Sequence, residues 1–155
     1  MTIQLNSMTE VIYEKFISHS IEHYAKENVK SGNWLEEEAL KKSKEAFDRL
    51  LPDGLNSNQH FLLSIMNDGQ PIGWLWYFYD HTKPKKAAFI YEFYIYEEHQ
   101  GKGYGKSTLQ ALDKLAKEQG IEKISLHVFA HNERALHLYE KLGFEATDIN
   151  MTKTL

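Results

Sequence analysis

Two neighbouring stretches in the middle of the chain hold the residues best suited to chemistry. Gln100-Gly101-Lys102-Gly103-Tyr104-Gly105-Lys106 alternates glycine with polar residues just ahead of a helical pattern. Backbone N–H groups can converge in such a turn, and the dipole of the following helix adds about half a positive charge. The turn is therefore an anion cradle, suited to a phosphate-bearing ligand. Directly upstream, Phe89-Ile90-Tyr91-Glu92-Phe93-Tyr94-Ile95-Tyr96 is aromatic and β-branched with a single charged member. A carboxyl in that setting either has a raised pKa and serves as a base, or lies at an exposed strand edge.

Other chemistries fail on spacing. A nucleotide P-loop needs glycine five positions before Gly105-Lys106-Ser107, and Gln100 stands there. The dinucleotide fingerprint would need glycine at Lys106 or Thr108. His19 and His23 have a metal-capable spacing on a helical stretch. With no glutamate between them in the H-E-x-x-H position, where Ser20 stands, and no third ligand at a fitting distance, they read as a solvated helix face, and no metal is expected. His127 and His131 share that spacing but straddle a strand end and a loop. The chain has no cysteine, which excludes disulfides and thiol catalysis, and no G-x-S-x-G elbow.

The elements that must position these residues are readable from periodicity. Met1 to Leu5 reads as a short strand. A helix runs from Thr9 to Lys30, capped by Thr9 or Ser7 and broken by Ser31-Gly32. Leu35 to Leu51 forms a second helix, stopped at Pro52-Asp53-Gly54. Phe61–Met66 and Ile72–Tyr79 flank Asn67-Asp68-Gly69-Gln70 as a hairpin. The glycine turn leads into a helix along Leu109, Leu112, Leu115 and Ala116, ended by Gly120. A strand follows over Lys123–Ala130, then a helix containing Asn132 to Leu142, and a last strand from Phe144 to about Lys153.

Composition bounds this reading. One domain spanning residues 1–155 is expected, large enough to bury about two-thirds of its surface. With 18 Lys and Arg against 22 Asp and Glu, the net charge of −4 argues against a general nucleic-acid partner. No apolar run approaches a membrane span, and the N-terminus opens no signal segment, so a soluble cytoplasmic protein is the expectation.

The pattern Gln100-x-x-Gly103-x-Gly105, followed by Asn132, Ala135, Tyr139, Gly143 and Phe144, resembles the GCN5-related N-acetyltransferase (GNAT) superfamily. The resemblance covers the chain from about Phe61 onward and implies an α/β (α+β) fold. Its central sheet would be mixed, mostly antiparallel and flanked by about four helices, with a splayed pair of parallel strands. It implies an enzyme that moves an acetyl group from acetyl-CoA to a primary amine, of a small molecule or a peptide, by direct transfer in a ternary complex. A non-catalytic acyl-CoA-binding or regulatory domain of the same fold is the alternative.

What the resemblance implies for residues can be set beside their plainer readings. The main chain of Gly101, Lys102, Gly103, Tyr104, Gly105 and Lys106 would wrap the pyrophosphate, with glycine letting the backbone approach; the plain reading is a tight turn into a helix. Gln100 sits where arginine is common, so Lys102 and Lys106 would supply charge. The backbone of Phe93, Tyr94 and Ile95 would carry the pantetheine arm. Asn132 would contact that arm, cap its helix, or both. Tyr139 would protonate the departing thiolate, or simply pack in the core. Glu92 would be the base, since an alkyl ammonium of pKa ~10.4 is neutral in only about one molecule in a few thousand at pH 7. Strand alternation groups Glu92 with Ile90, Tyr94 and Tyr96 unless a bulge intervenes. The rings of Trp74, Trp76, Tyr77 and Tyr79 form sheet core and could line an acceptor pocket. An exposed C-terminal strand, Thr147–Leu155, could pair across a homodimer.

Overall fold

A computed structural model describes residues 2–155. Five strands run in the order β1-β2-β3-β4-β5, with β1 at Ile3–Ser7, β2 at His60–Asn67, β3 at Gln70–Phe78, β4 at Ala87–Ile95 and β5 at Lys123–Leu126. The first four pair antiparallel, and β4 with β5 is parallel. Of the helices, α1 (Glu10–Lys30) and α2 (Glu36–Leu50) precede the hairpin, α3 (Tyr104–Glu118) follows the glycine turn and α4 (Glu133–Lys141) follows β5. No described helix is long and apolar enough to cross a membrane.

Local chemistry explains the boundaries. The Thr9 side chain caps α1 by accepting from the Ile12 amide, and Pro52 follows the end of α2. Between β2 and β3, Asn67 faces Gln70, while Asp68 and Gly69 take φ of 49° and 81°. That left-handed pair matches the twist of the flanking strands.

The two sheet faces bury different cores. On one, Phe16 of α1 and Phe47 of α2 meet Leu62, Trp74 and Trp76, and Phe16 stands edge-on to both indoles. Ser43 of α2 donates to the Ile21 carbonyl at 2.6 Å, pinning the two helices. On the other face, Leu109, Leu112 and Ala116 of α3 cover Leu75, Tyr77 and Ile90, and Leu138 and Tyr139 of α4 and Leu142 just after it pack alongside.

Three expectations change. Met1, placed in the first strand, lies outside the described residues, and that strand extends to Ser7. The strand at Lys123 ends at Leu126 rather than Ala130, because its pairing with β4 stops at Ile90. Residues 144–155 form no regular element, and Ile149, Met151 and Leu155 are exposed. Without a sheet neighbour an alternating segment has nothing to complete its hydrogen bonds, so the tail offers no preformed strand for a dimer.

Candidate active site

Strand β4 changes character at a bulge. Trp76 pairs with Glu92 while Tyr77 pairs with Ile90, leaving Tyr91 as the extra residue. The bulge overturns the alternation that grouped Glu92 with Ile90. Ile90 packs into the α3-side core, whereas Glu92 turns to the α1 side with Trp74. Tyr94 and Tyr96 pack on that same α1-side face.

Beyond the bulge the strand also loses a partner. Ala87 to Ile90 are paired with β5, and Phe89 and Ile90 with β3 as well, but the stretch from Glu92 to Ile95 pairs with β3 alone. The parallel neighbours have splayed apart, leaving the β5-side edge of Phe93, Tyr94 and Ile95 open to an extended ligand. Gly73 permits the matching approach from β3. A Cβ there would lie 2.1 Å from the Tyr94 carbonyl oxygen.

Glu92 is held from two directions. Ser20 of α1 and the Trp74 indole N–H both donate to its Oε2. The residue as a whole keeps some exposed surface, but its carboxyl is deeply desolvated. Burial raises the pKa from 4.5 to about 7, and the bonds from Ser20 and Trp74 offset only part of that rise. A carboxyl so poised can take and release a proton near neutral pH.

The glycine turn has the geometry of a cradle. Gly101 and Gly103 have φ of 77° and 82°, and Gly103 is the cap residue of α3. The first N–H groups of a helix lack intrahelical acceptors, so those at the start of α3 are the donors available to an anion. At Gly105 a Cβ would come within 3.1 Å of Leu138 and 3.8 Å of Phe93, so α4 and β4 close directly beneath the turn. The side chains of the turn have mixed duties. Gln100 donates its amide to the Ile95 carbonyl at 2.8 Å, tying the turn to the strand end. The Tyr104 hydroxyl accepts from Asn67 at 3.2 Å, so its side chain is an anchor. Lys102 and Lys106 are exposed.

Helix α4 supplies what sequence reasoning did not assign. The Arg134 guanidinium lies 3.4 Å from the Cβ position of Gly101, bringing a fixed cation to the turn where Gln100 brings none. Asn132 caps α4, accepting from the Ala135 amide at 3.4 Å. Tyr139 is edge-on to Phe144 at 5.6 Å, and burial raises its phenol to about 12. It also lines a cavity of about 580 Å³ between β5, α3, α4 and the tail, which contains neither the turn nor Glu92. Glu92 and Tyr139 thus pack on opposite faces of the sheet, and the splay between β4 and β5 is the opening between those faces.

The α1 side of the sheet around Glu92 is aromatic and imidazole-lined. His19 is not on a solvated face. Its ring is 4.6 Å from Tyr94, 5.4 Å from Trp74 and 5.7 Å from His23, and its buried Nδ1 has no hydrogen-bond partner. Burial lowers its pKa, which favours the neutral ring. Among the described residues, no three histidine or acidic side chains are grouped as a metal would need. Trp74 lines this side, while Tyr77 and Tyr79 belong to the opposite core. Ser20 could have been suspected from sequence, being a polar residue one turn from Phe16 on a core-facing stripe. Arg134 gave no such signal, because only the packing of α4 over the turn brings it near.

Known proteins share this fold. Residues 21–144 match the model of the acetyltransferase (GNAT) family. Two Bacillus subtilis proteins, the uncharacterized N-acetyltransferases YdgE and YycN, are each 46% identical to this chain across its full length and cover 99% and 100% of their own. The crystal structure of YycN superposes with a TM-score of 0.96 over 99% of both chains. The PaiA N-acetyltransferase of Thermoplasma acidophilum, solved with coenzyme A, shares the fold at a TM-score of 0.71 and 22% identity, over 97% of this chain and 94% of its own. A splayed parallel strand pair, a glycine cradle at a helix start and matches of this extent place the chain in the acetyltransferase (GNAT) family, as an N-acetyltransferase.

Proposed function

We propose that this enzyme transfers the acetyl group of acetyl-CoA directly to a primary amine, of a small molecule or a peptide, within a ternary complex. The observation that carries the reading is Glu92: a desolvated carboxyl with its pKa near neutrality, placed where β4 gives up its second strand partner. The main-chain N–H groups of Gly101 to Lys106 receive the pyrophosphate, with charge from Arg134, Lys102 and Lys106. The open edge of Phe93, Tyr94 and Ile95 takes the pantetheine arm, with Asn132 beside it.

The amine enters over Trp74, Tyr94 and His19 and gives its proton to Glu92. Ser20 and Trp74 occupy Oε2, so Oε1 is the oxygen that receives it. The freed amine attacks the acetyl carbonyl, the carbon–sulfur bond breaks as the amide forms, and the nitrogen's second proton passes to solvent. Tyr139, protonated at neutral pH, donates a hydrogen bond to the departing sulfur. Full proton transfer from a phenol near 12 to a thiolate whose acid has a pKa of ~8.5 is uphill by about 5 kcal/mol. The tyrosine therefore stabilises the leaving charge first, and the thiol is completed as protons equilibrate with solvent.

The test is thiol release from acetyl-CoA across a panel of amines, polyamines, amino acids and peptides. At least one should yield thiol and N-acetyl product in equal amounts, and Tyr139→Phe should lower kcat by about 10–100-fold on it. An unchanged kcat would refute the role of the phenol. Binding of acetyl-CoA without turnover of any amine would favour the non-catalytic alternative.

A further inference from the structure

After Leu126 no strand ladder holds the chain. Residues 127–132 leave β5 and lead to α4, with the rings of His127, Phe129 and His131 packed in succession at 4.9 and 5.5 Å. What fastens this loop is a contact with α1. His131 Nε2 is hydrogen-bonded to Glu27 Oε2, and the other carboxylate oxygen lies 3.7 Å from His23 Nε2. Both partners are partly desolvated, Glu27 with 20% and His131 with 23% of the side chain exposed. A bond to a carboxylate in such a place is stronger than a surface pair.

The path of α1 gives this contact its meaning. At Ser20 the helix lies over Glu92 of β4. Two turns further, about 10 Å along the axis, Glu27 reaches the loop that extends β5. Helix α1 therefore bridges the gap between the splayed strands, and the Glu27–His131 bond is its far anchorage. His131 directly precedes Asn132, the cap of α4, whose Arg134 and Leu138 approach Gly101 and Gly105 of the turn.

We infer that the Glu27–His131 clasp sets the width of the gap that receives the pantetheine arm. Both are positioning residues: they act through the loop on the cosubstrate's arm and take no part in proton transfer. This rests on the acetyl-CoA reading above. The nucleotide end is held mainly by the main chain of the glycine turn, which Gln100 ties to β4 at Ile95, and so depends far less on the clasp.

That separation provides the experiment. Binding of acetyl-CoA and of 3′-phosphoadenosine 5′-diphosphate, which keeps the pyrophosphate but lacks the arm, is measured by calorimetry on the wild type, Glu27→Ala, His131→Ala, the double variant and Glu27→Gln. Each single alanine variant should weaken acetyl-CoA by about tenfold, the worth of one hydrogen bond to a charged group, and leave the fragment within about twofold. The double variant should be no worse than either single, and Glu27→Gln, which keeps an acceptor for His131, should recover much of the loss. Equal weakening of both ligands, additive losses in the double variant, or unchanged acetyl-CoA affinity would overturn the clasp. A wild type that binds the fragment but gains nothing from the arm would overturn the arm's placement and the clasp with it.

Discussion

The two halves of β4 are one strand under two regimes. Ala87 to Ile90 are paired with β5, Phe89 and Ile90 on both sides, and Ala88 and Ile90 are almost fully buried. From Tyr91 to Ile95 the strand is paired on one side, bulged at its start, and carries the enclosed Glu92. A doubly paired strand spends its backbone groups on the ladder and its side chains on the core. Dropping one partner leaves main-chain donors and acceptors free, and the bulge re-aims the next side chain to the opposite face. The difference teaches that the part of this strand proposed to be catalytic begins where its second partner ends.

Substitutions should separate the halves. The largest effect is expected at Gly73→Val, since any Cβ there meets the Tyr94 carbonyl at 2.1 Å. The open half would have to detach from β3, and loss of soluble, cooperatively melting protein is the expected readout. If the variant melts like the wild type, β4 is more pliable beyond the bulge than this comparison allows.

Glu92→Gln should lower kcat by about 10²–10³-fold while keeping the fold, because a glutamine oxygen still accepts from Ser20 and Trp74. Two pH dependences accompany it. Turnover needs the carboxylate, so wild-type kcat/KM should rise with pH through about 7. Stability runs the other way. The folded-state pKa, about 7, exceeds the ordinary 4.5, so the folded protein binds more protons between those values. The protonated form's stabilising contribution is complete below about 4.5 and lost as pH rises through 7, by about 3 kcal/mol in all. Urea denaturation at pH 5 and 8 should show that decline in the wild type and not in the glutamine variant.

In the doubly paired half, Ile90→Ala should cost about 2–4 kcal/mol of stability and leave kcat of the folded fraction within about twofold. A large loss of kcat would mean that the two halves are not separable. The smallest effect is expected outside the strand: Arg134→Ala should raise the KM for acetyl-CoA several-fold with little change in kcat, one charge-assisted contact at the turn being lost.

Much of this was legible in the sequence because it is local. The cap at Thr9, the Asp68-Gly69 turn and the glycines ahead of α3 each depend on residues within a few positions of one another. Glu92 stood out as the lone charge in an aromatic strand. What stayed hidden depends on registry between distant segments. Alternation put Glu92 on the face of Ile90, and only the bulge at Tyr91, set by pairing with β3, moved it. His19 of α1 read as solvated until the helix was laid across Trp74 and Tyr94.

By itself, the sequence determined the order of elements, the phosphate-type turn and the family motif, since propensity, turn chemistry and spacing act along the chain. The tertiary structure decided where β4 loses its partner, which face Glu92 occupies, that Arg134 lies beside Gly101 of the turn, and that Glu27 meets His131 across 104 positions. Those outcomes come from packing between segments far apart in the chain, and desolvation, the cause of the shifted pKa of Glu92, exists only once they have met.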